Sequence, residues 1–241
     1  MEIKIYKEIN ELISAVADLI VKISAESIAE KDRFDFVLSG GSSPRKLYEL
    51  LASEKYKNKI DWSKTYFFFG DERFVPKGDS QRNSLMAKET LFNPLEINAS
   101  NIFLVDTSKS PEESAKMYAK TIEKYFNGKK IIFDFNLLGL GDNSHTASLF
   151  PFTSVLSETE ATIKSVFVKE LDAYRITMTA PLINQSKNIA FLVFGENKAK
   201  AVFNVLKSKG SSAEFPAKLI SSENLTWFLD AKASDLLKIG K

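Results

Sequence analysis

The chain has 241 residues, 44% of them hydrophobic, with 33 basic against 31 acidic side chains for a formal net charge of +2, one histidine and no cysteine. That is enough apolar material for a sizeable core. The near balance of charge, without any long Lys/Arg block, argues against a nucleic-acid binder, while leaving room for a local pocket that takes a small anion. Lack of cysteine excludes disulfides, thiolate nucleophiles and cysteine metal sites, and fits a reducing compartment.

Residues 8–30 set Ile9, Leu12, Ile13, Val16, Leu19, Ile20 and Ile23 at three- and four-residue spacing, which predicts an amphipathic helix. Charges interrupt this opening stretch, so it lacks the continuous apolar run of a signal peptide. No segment approaches the roughly 20 apolar residues that span a bilayer. A cytoplasmic protein with no membrane partner is expected.

"FDFVLSGG" (34–41) reads as the first strand, and Pro44, placed at a first helical position, opens the helix "PRKLYELLASEKY". "TYFFFGDERF" is a strand entering a polar loop, "RNSLMAKETLF" a helix and "NIFLV" a strand. "SPEESAKMYAKTIEKYF" is a helix in which Ser110 and Glu113 have capping-box spacing. "FDFNLLGLG" is another buried strand, and "NIAFLVFG" with "ENKAKAVFNVLKS" a further strand and helix. Strands alternating with helices imply βαβ units and a mainly parallel sheet flanked by helices. No repeat, low-complexity tract or linker divides the chain, so residues 1–241 are expected to form a single α/β domain.

In such sheets ligands bind where loops leave the carboxyl ends of the strands. Four of those loops are chemically loaded: "SGGSSP", "GDERFVP", "GLGDNSHTAS" and "GENK". Gly40 and Gly41 let backbone approach a ligand, Ser42 and Ser43 bring hydroxyls, and the following helix N-terminus offers free N–H groups to a phosphate. Asp71, Glu72 and Arg73 follow an apolar strand; Arg175 lies on the alternating "YRITMT" and Lys198 near a helix start. His145 is placed beside a helix start at the same sheet edge. On the residues alone, the glycine loop also fits an ordinary strand-to-helix turn, the charged triplet a solvated loop, and the histidine a helix cap.

Five ordered blocks, "SGGSSP", "GDERFVP", "LGLG..SHTASLFP", "RITMT" and "FGENKAKAV", spread over nearly the whole chain, resemble the 6-phosphogluconolactonases, a family related to glucosamine-6-phosphate deaminases. The resemblance implies a three-layer, Rossmann-like α/β fold. It also implies hydrolysis of 6-phospho-D-glucono-1,5-lactone to 6-phosphogluconate, a step of the oxidative pentose phosphate pathway, with no cofactor and no metal. A sugar-phosphate lactone is then the only partner, and the chain is expected to be a monomer or weak homodimer. By resemblance His145 is the base that activates water, with Asp71 the accompanying carboxylate. Gly40, Gly41, Ser42, Ser43, Arg73, Arg175 and Lys198 carry phosphate and sugar contacts.

The chain departs from the family pattern in four places. It reads Asn143-Ser144-His145 where Asp-Gly-His is common, Ser43 where Thr is frequent, and Arg82 where serine is frequent. Asn143 has no charge to steady an imidazolium, so Asp142, Asp71 or another carboxylate does so, or the base is tuned differently. A deaminase is the nearest alternative, but that branch carries Asp-Glu-Tyr rather than Asp71-Glu72-Arg73, and Asn-Glu-Pro where this chain has Leu149-Phe150-Pro151. A non-catalytic sugar-phosphate sensor is the other.

Overall fold

Strand side chains at alternate positions divide between two cores. In β2 (Phe34–Leu38) and β3 (Thr65–Phe69), Phe34, Phe36, Leu38, Phe67 and Phe69 enter one core while Val37 and Phe68 enter the other, as the two-residue period of a strand dictates. β5 (Phe135–Leu138) and β8 (Asn188–Val193) divide in the same way, with Leu137 and Leu192 on the first side and Leu138 and Phe191 on the second. Strands covered on both faces read as unbroken apolar runs, the pattern of a parallel sheet. With β1 (Glu2–Tyr6) and β9 (Leu225–Asp230) they form a six-stranded sheet in the order β1-β9-β8-β5-β2-β3, every neighbouring pair parallel. The structure, a computed structural model, describes residues 1–238; the last three residues of the expected 1–241 unit lie outside the described residues.

Helices cover both faces. α1 (Ile9–Lys31), α2 (Ser42–Leu51) and α3 (Asn83–Ala87), which runs on into a π turn over Lys88–Phe92, line the first core. Lining the second are α4 (Pro111–Tyr125), α5 (Ala180–Asn184) and α6 (Ala199–Leu206). They are joined by a small antiparallel sheet of β4 (Asp71–Arg73), β7 (Ala173–Met178) and β6 (Ile163–Val168), in that order. The capping box at α4 forms as read, with Ser110 accepting from the Glu113 N–H and Glu113 reaching back, an arrangement that stabilises a helix start by about 1 kcal/mol. Among the described residues no helix is long and apolar enough to cross a membrane.

Several readings are corrected. "GDERF" is not a polar loop: Asp71–Arg73 is β4, and Glu72 is fully buried. "NIFLV" makes only an isolated bridge, Phe67 to Ile102; further along, the Phe69 N–H donates to the Tyr118 hydroxyl and the Val105 carbonyl accepts from the buried Arg82 guanidinium, so neither is available to a ladder. Pro44 is the third helical residue rather than the first, since α2 opens at Ser42 behind the Gly41 N-cap. No helix starts beside His145; residues 142–153 are turns around an isolated bridge between Thr146 and Leu149. Strand β1 precedes the first helix, and β6 and β9 were not read at all. β1 turns Ile3 and Ile5 to solvent and lays Tyr6 on Phe228, so its alternation has the opposite sense from a half-buried strand.

The sheet order locates the crevice. From β2 the chain moves outward to β3, then returns to place β5 on the opposite side of β2, so the loops after β2 and β5 diverge at a topological switch point.

Candidate active site

The loop after β2 carries Gly40 and Gly41 into α2. Gly41 adopts φ 104°, a conformation closed to most side chains. A Cβ on Gly40 would lie 1.8 Å from the Asn83 side chain. The N–H groups of Ser42 and Ser43 have no intrahelical acceptor, and Pro44 in the third position has no N–H to satisfy. Tyr48 secures this loop from below: its hydroxyl donates to the Ser39 carbonyl at 2.8 Å and accepts from the Ser39 N–H at 3.0 Å.

The loop after β5 carries His145. Its ring stacks on Phe150, centroids 3.9 Å apart and planes 18° from parallel, and its other face lies over Gly141, where a Cβ would come within 2.1 Å of the ring. Backbone bonds from Gly141 N–H to the His145 carbonyl, 2.8 Å, and from Ser144 N–H to the Gly141 carbonyl, 2.9 Å, close the loop. Ser144 takes φ 66°, the conformation for which the family's usual glycine is suited. Nδ1 of His145 lies 2.5 Å from Asn143 Oδ1. Burial, then the Lys198 charge, hold the imidazole pKa down to about 4; Asp142 opposes this, and Arg73 and Arg175 add to it. Of the carboxylates considered from the sequence, Asp142 is therefore the one acting electrostatically on His145.

β4 supplies the third wall. Asp71 accepts from the Ser148 hydroxyl at 2.6 Å, and burial holds its carboxyl above the usual carboxylate range, with Arg73 opposing. Glu72 points inward and gathers backbone: its carboxylate accepts from the N–H groups of Arg73 and Asn83, both at 2.8 Å, and of Ser84 at 2.9 Å, with Arg82 3.6 Å away. Arg73 and Arg175 are direct partners across the β4–β7 ladder. Burial and the Arg73 charge hold the Arg175 guanidinium below its ordinary range, a strain that a dianion between them relieves. Lys198, in the turn ahead of α6, pairs with Asp142 at 2.6 Å.

Gly40, Gly41, Ser42, Ser43, Asp71, Arg73, His145 and Lys198 all line one cleft of about 260 Å³. Arg175 stands beside it as the ladder partner of Arg73 rather than in its lining. Sequence reading missed Asn83, Ser148 and Phe150, which also line the cleft. Asn83 and Ser148 lay in quoted blocks but carry no chemistry until Asp71 is seen between them, bonded to both. Phe150 has no polar atom to mark it, and gave no sign of stacking on the histidine.

A helix start with free N–H groups, a desolvated histidine and a group of cations in one crevice define a class: an α/β enzyme acting on a small phosphorylated substrate. Residues 7–227 match the family described as Glucosamine-6-phosphate isomerases/6-phosphogluconolactonase, and the chain belongs to that family. It is 36% identical over 233 residues to the 6-phosphogluconolactonase of a Nostoc strain, covering 95% of each chain. It is 34% identical over 256 residues to the probable 6-phosphogluconolactonase 1 of Arabidopsis thaliana, covering 98% of this chain and 93% of the relative. The solved structure of 6-phosphogluconolactonase from Trypanosoma brucei superposes with a TM-score of 0.84 at 27% identity, covering 98% of both chains.

Proposed function

We propose that this chain, a lactone hydrolase by its relatives, hydrolyses 6-phospho-D-glucono-1,5-lactone to 6-phosphogluconate, with water activated by His145. The observation that carries the reading is the neutral histidine held against Phe150 in the cleft that also holds the α2 N-terminus, Arg73 and Lys198. Nε2 of His145 takes a proton from water as the water oxygen bonds to the lactone carbonyl carbon. The tetrahedral intermediate then collapses, breaking the bond to the ring oxygen, and the imidazolium returns its proton to that oxygen. A positioned base of this kind contributes about 100- to 10,000-fold.

The phosphate and sugar hydroxyls are shared among the Ser42 and Ser43 amides and hydroxyls, the backbone of Gly40 and Gly41, Arg73, Arg175 and Lys198. Asp71 contacts the sugar and orients Ser148. The protein works as a monomer or weak homodimer in the cytoplasm, as one step of the oxidative pentose phosphate pathway, and needs no nucleic acid.

The test is a stopped-flow assay on freshly generated lactone, with spontaneous hydrolysis subtracted, comparing the wild type with His145→Ala. Turnover that drops by at least 100-fold in the variant supports both activity and base. Full activity in the variant would overturn the base, and sugar-phosphate binding with no turnover in the wild type would leave a sensor. Release of ammonia from glucosamine 6-phosphate without lactone hydrolysis would point to the deaminase branch.

A further inference from the structure

We propose that Asn143 and Glu170 act together as positioning residues that fix the tautomer of His145, placing the proton on Nδ1 and the free lone pair on Nε2. The inference rests on the reading of His145 as the base. Asn143 touches three groups: its Oδ1 lies 2.5 Å from His145 Nδ1 and 3.3 Å from the His145 backbone N–H, and its Nδ2 donates to Glu170 Oε1 at 2.9 Å.

The partners themselves decide which end of the amide is which. A backbone N–H only donates, so it requires the oxygen. A carboxylate only accepts, so it requires the nitrogen. The amide is read from both ends with the same answer, and Oδ1 faces the imidazole. An acceptor at Nδ1 admits only the Nδ1–H form of a neutral ring, which leaves Nε2 as the acceptor a base needs. Phe150 on one face and Gly141 on the other hold the ring plane in which that bond lies.

Glu170 comes from the turn Lys169–Leu171 between β6 and β7, 27 residues away in the chain. The small antiparallel sheet therefore supplies the lock for a loop of the large one. An aspartate at position 143 would also accept from Nδ1, but would put a full charge on the ring. Here the charge stands one hydrogen bond further out, on an exposed side chain. Around the ring are Lys198 from the turn before α6, Arg73 from β4, Arg175 from β7 and Asp142 from its own loop, so cations prevail and the ring stays neutral. The chain thus separates two tasks that a single aspartate would combine: fixing the tautomer and raising the basicity.

His145 is the only histidine, so ¹⁵N-histidine labelling of the full chain gives one unambiguous pair of ring nitrogens. The expected wild-type spectrum at neutral pH has a pyrrole-type Nδ1 and a pyridine-type Nε2. Glu170→Ala is expected to mix the tautomers and lower kcat roughly tenfold with KM little changed, since the substrate contacts lie elsewhere. Asn143→Leu is expected to lower kcat further, towards about 100-fold. Asn143→Asp is expected to restore the tautomer and most of kcat at neutral pH while moving the acid limb of the rate profile up by about one unit. A wild-type ring protonated on Nε2, or a Glu170→Ala protein with unchanged tautomer and unchanged kcat, would overturn the proposal. If His145→Ala keeps full activity, the base reading fails instead, and the spectra still report the tautomer independently of it.

Discussion

Gly141→Ala tests the placement of the proposed base, His145, directly, and Gly139→Ala is its matched control two residues away in the same loop. A Cβ on Gly141 would stand 2.1 Å from both Cε1 and Nδ1 of His145 and 2.8 Å from Nε2, against 3.4 Å for ordinary contact. The ring cannot retreat in the direction of the push, because Phe150 is stacked behind it at 3.9 Å. It must slide or tilt by roughly 1 Å, and a displacement of that size in a reacting group costs on the order of 100-fold in rate. The same movement breaks the bond to Asn143 Oδ1. Overpacking adds a stability cost of about 1–3 kcal/mol, read separately from urea unfolding.

A Cβ on Gly139 would meet only Ser39 Oγ at 3.9 Å, an ordinary contact. That variant is expected to keep its rate within about twofold, because a new methyl in van der Waals contact displaces no group. The assay is lactone turnover on folded protein, with kcat and KM resolved. Full activity in Gly141→Ala, or equal damage from Gly139→Ala, would refute the sandwich of His145 between Gly141 and Phe150 as the cause.

Glu72→Ala is expected to destabilise the fold by about 3–5 kcal/mol, because it leaves three backbone donors and Arg82 without their buried carboxylate; a urea midpoint close to wild type would contradict this. Ser144→Gly removes a left-handed strain of about 1–2 kcal/mol against about 0.5–1 kcal/mol of added chain freedom, so a small rise in Tm is expected and a clear fall would refute it. The pKa of about 4 at His145 predicts that kcat/KM stays flat from neutrality down to pH 5 and drops only as pH passes through about 4. Its folded pKa lies below the ordinary 6.5, so its stabilising contribution is complete above pH 6.5 and is lost as pH falls towards 4; proton uptake on unfolding, measured by calorimetry between those limits, checks the sign.

The sheet was legible where strands are covered on both faces, because β2, β3, β5 and β8 write themselves as apolar runs followed by glycine or charge. β1 lies at an edge and β6 in the small sheet, where part of each strand faces solvent and periodicity is diluted, whereas β9 is an interior strand, buried except at Thr226, that went unread despite this. The site was legible loop by loop, since each loaded segment follows a strand end. What could not be read was the relation between loops. Asp71 looked like one of three solvated charges, yet is enclosed by Ser148 and Asn83. Asn143 looked like a lost charge, because Glu170, which bonds to it, comes from a hairpin whose first strand carried no strong signal.

Gly70 explains why the cations face the histidine at all. Its N–H donates to the Leu38 carbonyl at 3.0 Å and its carbonyl accepts from the Met178 N–H at 2.8 Å, so one residue belongs to the ends of both sheets. The chain leaves the parallel sheet there and enters β4, which swings Arg73, with Arg175 beside it, across the crevice from the loops after β2 and β5. Those positive charges have two opposed effects on the proposed reaction. They attract a phosphate dianion, and they also depress the basicity of His145, which weakens the driving force for proton transfer. In the proposed reaction a bound phosphate would resolve the opposition, since its charge would offset Lys198, Arg73 and Arg175 when the base is needed. Part of the phosphate's binding is then expressed in kcat rather than in KM. A gluconolactone lacking the phosphate should accordingly turn over with a lower kcat even at saturation, and the acid limb of kcat for the phosphorylated lactone should lie above that of kcat/KM. Equal kcat for the two lactones would mean that the cations only hold the substrate and leave the base untouched.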